Sequence, residues 1–271
     1  MSKGCFGWPG GKRSLAPKII KLIPKHVCYV EPFCGSAKVM FLKDQKSSKV
    51  EVINDINKEL VNFFKVLRDS EELLIDRCLC YPNSRCEFYN FKSMNIEGMS
   101  ELERAVRFLY LQQASFGGVG VVYGTSKVKQ TNWNLNTIEL SLESAHKRIR
   151  GVTIECLPYD ELIARYDAET TFFYVDPPYY NSRDIYGKGL FTVDDYSKLA
   201  TILKNIKGKF LMSIDDCEET RELFNCFKFL ERSVTYTISK SIAKTSNPEL
   251  LIYNYELPCE FNATLLTNED E

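Results

Sequence analysis

Short apolar runs alternate with amphipathic stretches along this chain, and the alternation predicts strands separated by helices. Leu15 to Ile23 has helical spacing and is closed by Pro24, after which Val27-Cys28-Tyr29-Val30 reads as a strand and Lys38 to Leu42 as a helix. A second strand, Val50-Glu51-Val52-Ile53, runs into Asn54-Asp55 and a helix beginning near Ile56. From Lys58 to roughly Arg150 the pattern is mainly helical, in Leu60-Val61-Phe63-Phe64-Val66-Leu67 and again in Ala105-Val106-Phe108-Leu109-Leu111. Between and after these runs lie polar, aromatic and glycine-rich pieces, among them 115–124, which reads as a loop or hairpin. Strand–helix alternation then resumes with Val152 to Cys156, Thr171 to Val175, a helix over Asp194 to Ile206, a strand over Lys209 to Ile214 and a helix from Glu218. Ser233 to Ile238 and Glu249 to Tyr255 close the chain as a predicted hairpin, followed by a frayed tail. The fold class is α/β.

One strand ends on chemistry. Thr171-Phe172-Phe173-Tyr174-Val175 leads directly to Asp176-Pro177-Pro178-Tyr179, and the prolines cannot donate ladder hydrogen bonds, so the strand stops at the carboxylate. Open α/β sheets bind ligands at that position. The arrangement suits methylation of an exocyclic amine, whose lone pair is delocalised into its ring until two acceptors hold its hydrogens. Asp176 supplies one acceptor and the Pro177 carbonyl can supply the other, while the Tyr179 ring can stack on a base. A surface turn initiated by Asp-Pro is the plainer reading. The apolar strand before it and the tyrosine pair after it favour a site.

Two earlier loops suit a cofactor. Glu31-Pro32-Phe33-Cys34-Gly35-Ser36-Ala37 joins a strand to a helix, but without the glycine spacing of a pyrophosphate site and with an acid at the strand end. That fits a cationic, phosphate-free cofactor such as S-adenosylmethionine. Asp55, about twenty residues after Gly35, stands where doubly wound folds bind ribose hydroxyls. It could instead cap the helix that follows, a role that Asn57 could also take. In the opening loop, Trp8 and Lys12 could offer an apolar wall and a cation.

Composition and charge narrow the class. In 271 residues, 44% are hydrophobic and 26% charged, which is ordinary for a globular protein. No run approaches the roughly 20 apolar residues of a membrane span and no signal-peptide core is evident, so a cytoplasmic protein is expected. The ten cysteines form no Cys-x-x-Cys pair, and with only two histidines a metal site is not expected. The cysteines read as reduced packing residues. A formal net charge of −1 argues against a uniformly basic face, yet Lys127, Lys129, Lys147, Arg148 and Arg150 cluster. Lys127, Lys129, Gln130, Asn132, Trp133 and Asn134 offer cations, amides and an aromatic of the kind that contact phosphates and base edges.

In this order the motifs resemble the Dam-like N6-adenine DNA methyltransferases, of the subgroup whose target-recognition region lies between the cofactor and catalytic motifs. The resemblance rests on Trp8-x-Gly10-Gly11-Lys12, Glu31-Pro32-Phe33-x-Gly35, Asn54-Asp55-Ile56-Asn57, Phe108-Leu109-Tyr110-Leu111 with Ser115-Phe116, Asp176-Pro177-Pro178-Tyr179, and Glu249-Leu250-Leu251-Ile252-x-Asn254-Tyr255. It implies a Rossmann-like class I methyltransferase fold, a seven-stranded mostly parallel sheet with a reversed C-terminal hairpin, and a mainly helical DNA-recognition insertion. The implied organisation is a methyltransferase domain over 1–57 and 151–262, an insertion over 58–150 and a tail over 263–271. S-adenosylmethionine would lie among Trp8, Lys12, Glu31, Phe33, Gly35, Ser36, Asp55, Tyr159 and Asp160, beside Asp176. Asp176 and Pro177, with Pro178 and Tyr179, would hold an adenine swung out of double-stranded DNA. Ser115, Phe116, Lys127, Lys129, Gln130 and Asn132 would contact the DNA.

Three positions depart from the family pattern. Ala37 stands where a second glycine is frequent, which implies a tighter cofactor loop. Pro158 replaces a common acid before the aromatic, leaving Asp160 as the remaining adenine contact there. Gly117 replaces a frequent asparagine in the DNA-reading loop, so the target sequence is not inherited. The resemblance implies a bacterial or phage-infected cell and admits a cognate restriction enzyme as partner, with oligomeric state open. Methylation of another exocyclic amine, such as cytosine N4 or RNA adenine, and a catalytically silent DNA-binding relative are the alternatives. The intact turn at Asp176 speaks against silence. A nicotinamide-dependent dehydrogenase lacks its glycine fingerprint.

Overall fold

The computed structural model describes residues 4–8, 12, 14–181, 191–231 and 249–257. Its strands are β1 (Cys28–Glu31), β2 (Val50–Asn54), β3 (Thr153–Glu155), β4 (Thr171–Val175), β5 (Lys209–Asp215), β6 (Lys228–Glu231) and β7 (Glu249–Tyr253). They form one seven-stranded sheet in the order β3-β2-β1-β4-β5-β7-β6. The pairs β2/β3, β1/β4 and β4/β5 are parallel, whereas β7 runs antiparallel to both β5 and β6. This is the mostly parallel seven-stranded sheet with a reversed end that the resemblance implies. Every residue of β4 is buried, as a central parallel strand covered on both faces requires.

β6 differs from the expected strand. It begins at Lys228, earlier than the predicted start at Ser233, because Phe229 and Leu230 pair with Ile252 and Leu251 of β7. Two apolar residues between charges gave no local signal for it. The predicted strand over 233–238 lies outside the described residues, as do Gly10, Gly11, nearly all of the loop over 181–190 and the tail over 263–271.

The chain divides into two compact units, residues 1–21 with 33–159 and residues 22–32 with 160–271. The 58–150 segment lies wholly inside the first. There α3 (Lys58–Asp69) packs on α6 (Glu101–Ala114), while α4 (Glu71–Leu79) packs on α6 and on α7 (Leu135–Ile149). Asn57 caps α3 through Glu59 and Leu60 N–H, and Ser100 and Glu103 form a capping box on α6. α7 is tied to β2 by a buried charge cluster. Arg148 donates to both carboxylate oxygens of Glu51, at 2.6 and 2.8 Å, and to the Met40 carbonyl, and Lys43 reaches the same carboxylate at 2.7 Å. Arg148 therefore belongs to the interior and not to a basic DNA face; its position on α7 turns it toward the strand. Removing Glu51 would strand two buried cations, a loss of about 3–5 kcal/mol.

In the second unit, α8 (Tyr159–Tyr166), of which only Tyr159 belongs to the first unit, α9 (Val193–Asn205) and α10 (Glu218–Leu223) accompany β1 and β4 to β7. Tyr255 anchors its hydroxyl on the Leu22 carbonyl at 2.8 Å. The described cysteines are free thiols, and burial pushes Cys5 and Cys78 up to about 12, so neither is reactive. His26 and His146 each place Nδ1 against a backbone carbonyl. Among the described residues no helix is long and apolar enough to cross a membrane, and no cluster of His, Cys, Asp or Glu is placed to hold a metal.

Candidate active site

In the first unit the cofactor candidates gather on the loops after β1 and β2. Gly35 sits at φ +46°, and a Cβ there would stand 2.6 Å from Trp8 Cδ1, so this close approach needs glycine. Its N–H donates to Asp55 Oδ2 at 3.1 Å, while Asp55 Oδ1 accepts the Asn57 N–H at 3.0 Å. Asn57 is the cap of α3, while Asp55 forms the Asx turn leading into it and braces the glycine loop. Burial raises the Asp55 pKa, opposed by the N–H groups of Asn57, Gly35 and Ile56.

Asn54 fastens the floor of the same loops. It exchanges hydrogen bonds with the Leu157 backbone in both directions, at 3.0 and 2.8 Å. The Phe33 and Tyr159 rings lie 5.4 Å apart. Ser36 and Lys12 are buried, and Trp8 leans on Phe6 and Phe108. Ala37 occupies the left-handed region at φ 49°, the one non-glycine residue to do so among those described. Where the family often has glycine, the chain keeps the glycine conformation without the glycine.

A carboxylate oxygen has two acceptor directions, so both Asp55 oxygens can take a ligand hydroxyl while keeping their N–H donors. Aromatic faces at Phe33 and Tyr159 and an acid at the end of β2 fit a nucleoside without phosphate.

Residues 58–150 separate their candidates sharply. Phe116 is 76% exposed, and Lys127, Lys129, Gln130 and Asn132 are exposed as well. Ser115 is buried, accepting the Gly120 N–H at 2.9 Å and donating to the Gln112 carbonyl, so its hydroxyl shapes the turn. Trp133, expected to face DNA, is 1% exposed; it packs against the Tyr110 ring and donates to the Tyr81 carbonyl, which makes it core. Asn134 caps α7. Gly117 has φ +68°, a conformation that asparagine also tolerates, which accounts for the exchange between them.

In the second unit, β1 and β4 lie in parallel register with Val30 opposite Phe173. Glu31 is buried at the end of β1 and accepts the Tyr29 hydroxyl at 2.7 Å. Half-buried Asp176 follows β4, and its Oδ1 accepts the Ser213 hydroxyl at 2.9 Å. Tyr179 donates its hydroxyl to Glu249, and burial, with the charges of Asp176 and Glu249, holds that phenol far above its ordinary range. The ring is thus fixed by its hydroxyl end.

The turn is further clamped from below. Asp215, closing β5, accepts N–H from Tyr180 and Asn181 at 2.7 and 3.0 Å, and Tyr196 donates to the Pro178 carbonyl at 2.7 Å. Asp160 is engaged by Lys198 at 2.6 Å, which holds its carboxyl below the usual aspartate range. Ser213, Asp215, Tyr196 and Glu249 were not singled out as site residues from sequence. Asp215 carries a signal, an acid at the end of an apolar strand, and Glu249 opens one of the motifs behind the resemblance.

Comparison with known proteins agrees with this chemistry. The family described as D12 class N6 adenine-specific DNA methyltransferase matches residues 8–238. A type II methyltransferase of Lactococcus lactis subsp. cremoris is 30% identical, covering 92% of this chain and 94% of its own length. A DNA adenine methylase of Vibrio cholerae is 28% identical over 90% of this chain and 93% of its own. One from Escherichia coli K12 is 27% identical over 86% and 88%.

Proposed function

Because the chain belongs to the D12 class of N6 adenine-specific DNA methyltransferases, we propose that S-adenosylmethionine is its methyl donor and that Asp176, Pro177, Pro178 and Tyr179 hold the target adenine. The protein is an adenine-specific DNA methyltransferase. Bound S-adenosylmethionine would supply an electrophilic methyl on a sulfonium. The remaining work falls to this chain.

Asp176 carries the reading. It follows a wholly buried strand, is itself half-buried, and has one oxygen oriented by Ser213. A carboxylate so held still has acceptor directions for an amine hydrogen. With the Pro177 carbonyl as second acceptor, the adenine N6 lone pair is directed out of the ring plane, and orientation provides most of the acceleration. Tyr179, anchored through its hydroxyl to Glu249, offers a pre-set face for an extruded base.

Trp8, Lys12, Glu31, Phe33, Gly35, Ser36, Asp55, Tyr159 and Asp160 are assigned to the cofactor, with Asp55 taking the ribose hydroxyls. We read 58–150 as the target-recognition insertion. Exposed Phe116, Lys127, Lys129, Gln130 and Asn132 are its DNA contacts, with Ser115 supporting them.

The test is to express the chain in a host free of DNA methylation and map N6-methyladenine across the genome. Methylation at one short sequence is expected. A genome left unmethylated by soluble, cofactor-binding protein would refute the assignment.

A further inference from the structure

We propose that Ser213 is a positioning residue for methyl transfer, its hydroxyl aimed by Tyr174 so that it fixes the orientation and proton affinity of the Asp176 carboxylate. The inference rests on the role given to Asp176 above.

The sheet register brings the three groups together. β4 and β5 pair with Tyr174 opposite Leu211 and Val175 opposite Met212, so Ser213 comes opposite Asp176 at the point where β4 ends. Ser213 is fully buried and Tyr174 is 3% exposed. Ser213 Oγ lies 2.9 Å from Asp176 Oδ1 and 2.8 Å from the Tyr174 hydroxyl.

A serine hydroxyl has a single hydrogen. Donating it to Asp176 obliges Tyr174 to donate to Ser213. Tyr174 keeps its proton, because burial and then the Asp176 charge drive its pKa well above the ordinary phenol value. The chain Tyr174 to Ser213 to Asp176 therefore has one direction only. A serine at this place without Tyr174 would be a rotor; with it, the hydrogen always faces the carboxylate.

The surroundings explain why such a donor matters. Asp176 acts on the phenols of both Tyr174 and Tyr179, as does Glu249 on β7, while Glu31 at the end of β1 acts on Tyr174. Two of these neighbours are acids, which oppose a third negative charge, whereas a hydrogen bond to the charged form favours it. The Ser213 donor acts against those acids, since it favours the charged, accepting form of Asp176.

Steady-state kinetics on unmethylated genomic DNA, followed across the acid limb of the pH profile, test this. Ser213→Ala should lower kcat about tenfold, leave KM for DNA and cofactor within about twofold, and move the acid limb up by about one pH unit, the scale of one charge-assisted hydrogen bond. Tyr174→Phe should shift both in the same direction but less, by about threefold in kcat. Ser213→Thr, which keeps the hydroxyl, should restore both. If Ser213→Ala fails to fold, Tyr174→Phe gives the same reading, with Ser213→Thr as the hydroxyl-keeping control. Wild-type kcat and an unmoved limb in Ser213→Ala or Tyr174→Phe, or a change confined to KM or thermal stability, would overturn the proposal. Asp176→Ala separates the two levels: if it retains turnover, the assignment of Asp176 itself fails. If it is inactive while Ser213→Ala is wild-type, only the role of Ser213 is lost.

Discussion

Asp55 and Asp176 each stand at the carboxyl end of a parallel strand, β2 and β4, yet they are held by opposite means. Asp55 is gripped by backbone, its two oxygens accepting N–H from Gly35 and Asn57. Asp176 is oriented by a side chain on another strand, Ser213, which is itself oriented by Tyr174. A backbone grip survives most substitutions around it and fails when the loop conformation changes. A side-chain grip can be removed by deleting one atom. The difference suits the tasks proposed for them: binding tolerates a range of carboxylate settings, whereas orienting an amine does not.

The strongest break of this contrast is Asp176→Ala. It should reduce methyl transfer by at least about a thousandfold, the scale of a lost general acid–base or orienting group, while cofactor affinity measured by calorimetry stays within a few fold. Asp55→Asn should do the reverse. An amide presents an NH₂ to a backbone N–H, and losing a charge-assisted hydrogen bond weakens cofactor binding by about 10- to 100-fold, with kcat at saturation little changed.

Gly35→Ala probes the backbone grip without touching a carboxylate. Its φ of +46° and the 2.6 Å approach to Trp8 make about 1–2 kcal/mol of strain the minimum, read as a lower thermal midpoint together with weaker cofactor binding. Charge removal at Lys127 and Lys129 should leave both grips intact. It should weaken DNA binding at every sequence and flatten the salt dependence by about 2 in log–log slope, seen by titration at several salt concentrations. Ala37→Gly is the mildest. Relief of the left-handed strain at φ 49° is opposed by loss of a buried methyl, so stability should move by less than about 1 kcal/mol, measured by denaturant unfolding.

Pattern alone carried much of the fold. The apolar runs at Tyr29, Val52, Phe172 and Leu211 mark strands, and the prolines after Asp176 fix where β4 must stop. Asp176, Gly35 and Asp55 were legible for the same reason: each sits at a junction of a local pattern, and local pattern is what a chain displays one residue at a time. β6 was not legible, because its strand character comes from pairing with β7. Arg148 and Trp133 misled, since a charge and an indole look alike in sequence whether they face solvent or core.

Ser213, Tyr174 and Glu249 belong to the same class of fact. Their roles depend on which strands lie side by side and on a register that places residue 213 opposite residue 176, 37 positions apart in the chain. The sequence by itself determined the carboxylate, the proline stop and the local turn in which Asp55 accepts the Asn57 N–H, because these follow from neighbours along the chain. Only the tertiary structure decided what aims Asp176, because a hydrogen bond between two strands is set by sheet pairing, and pairing is a property of the whole fold.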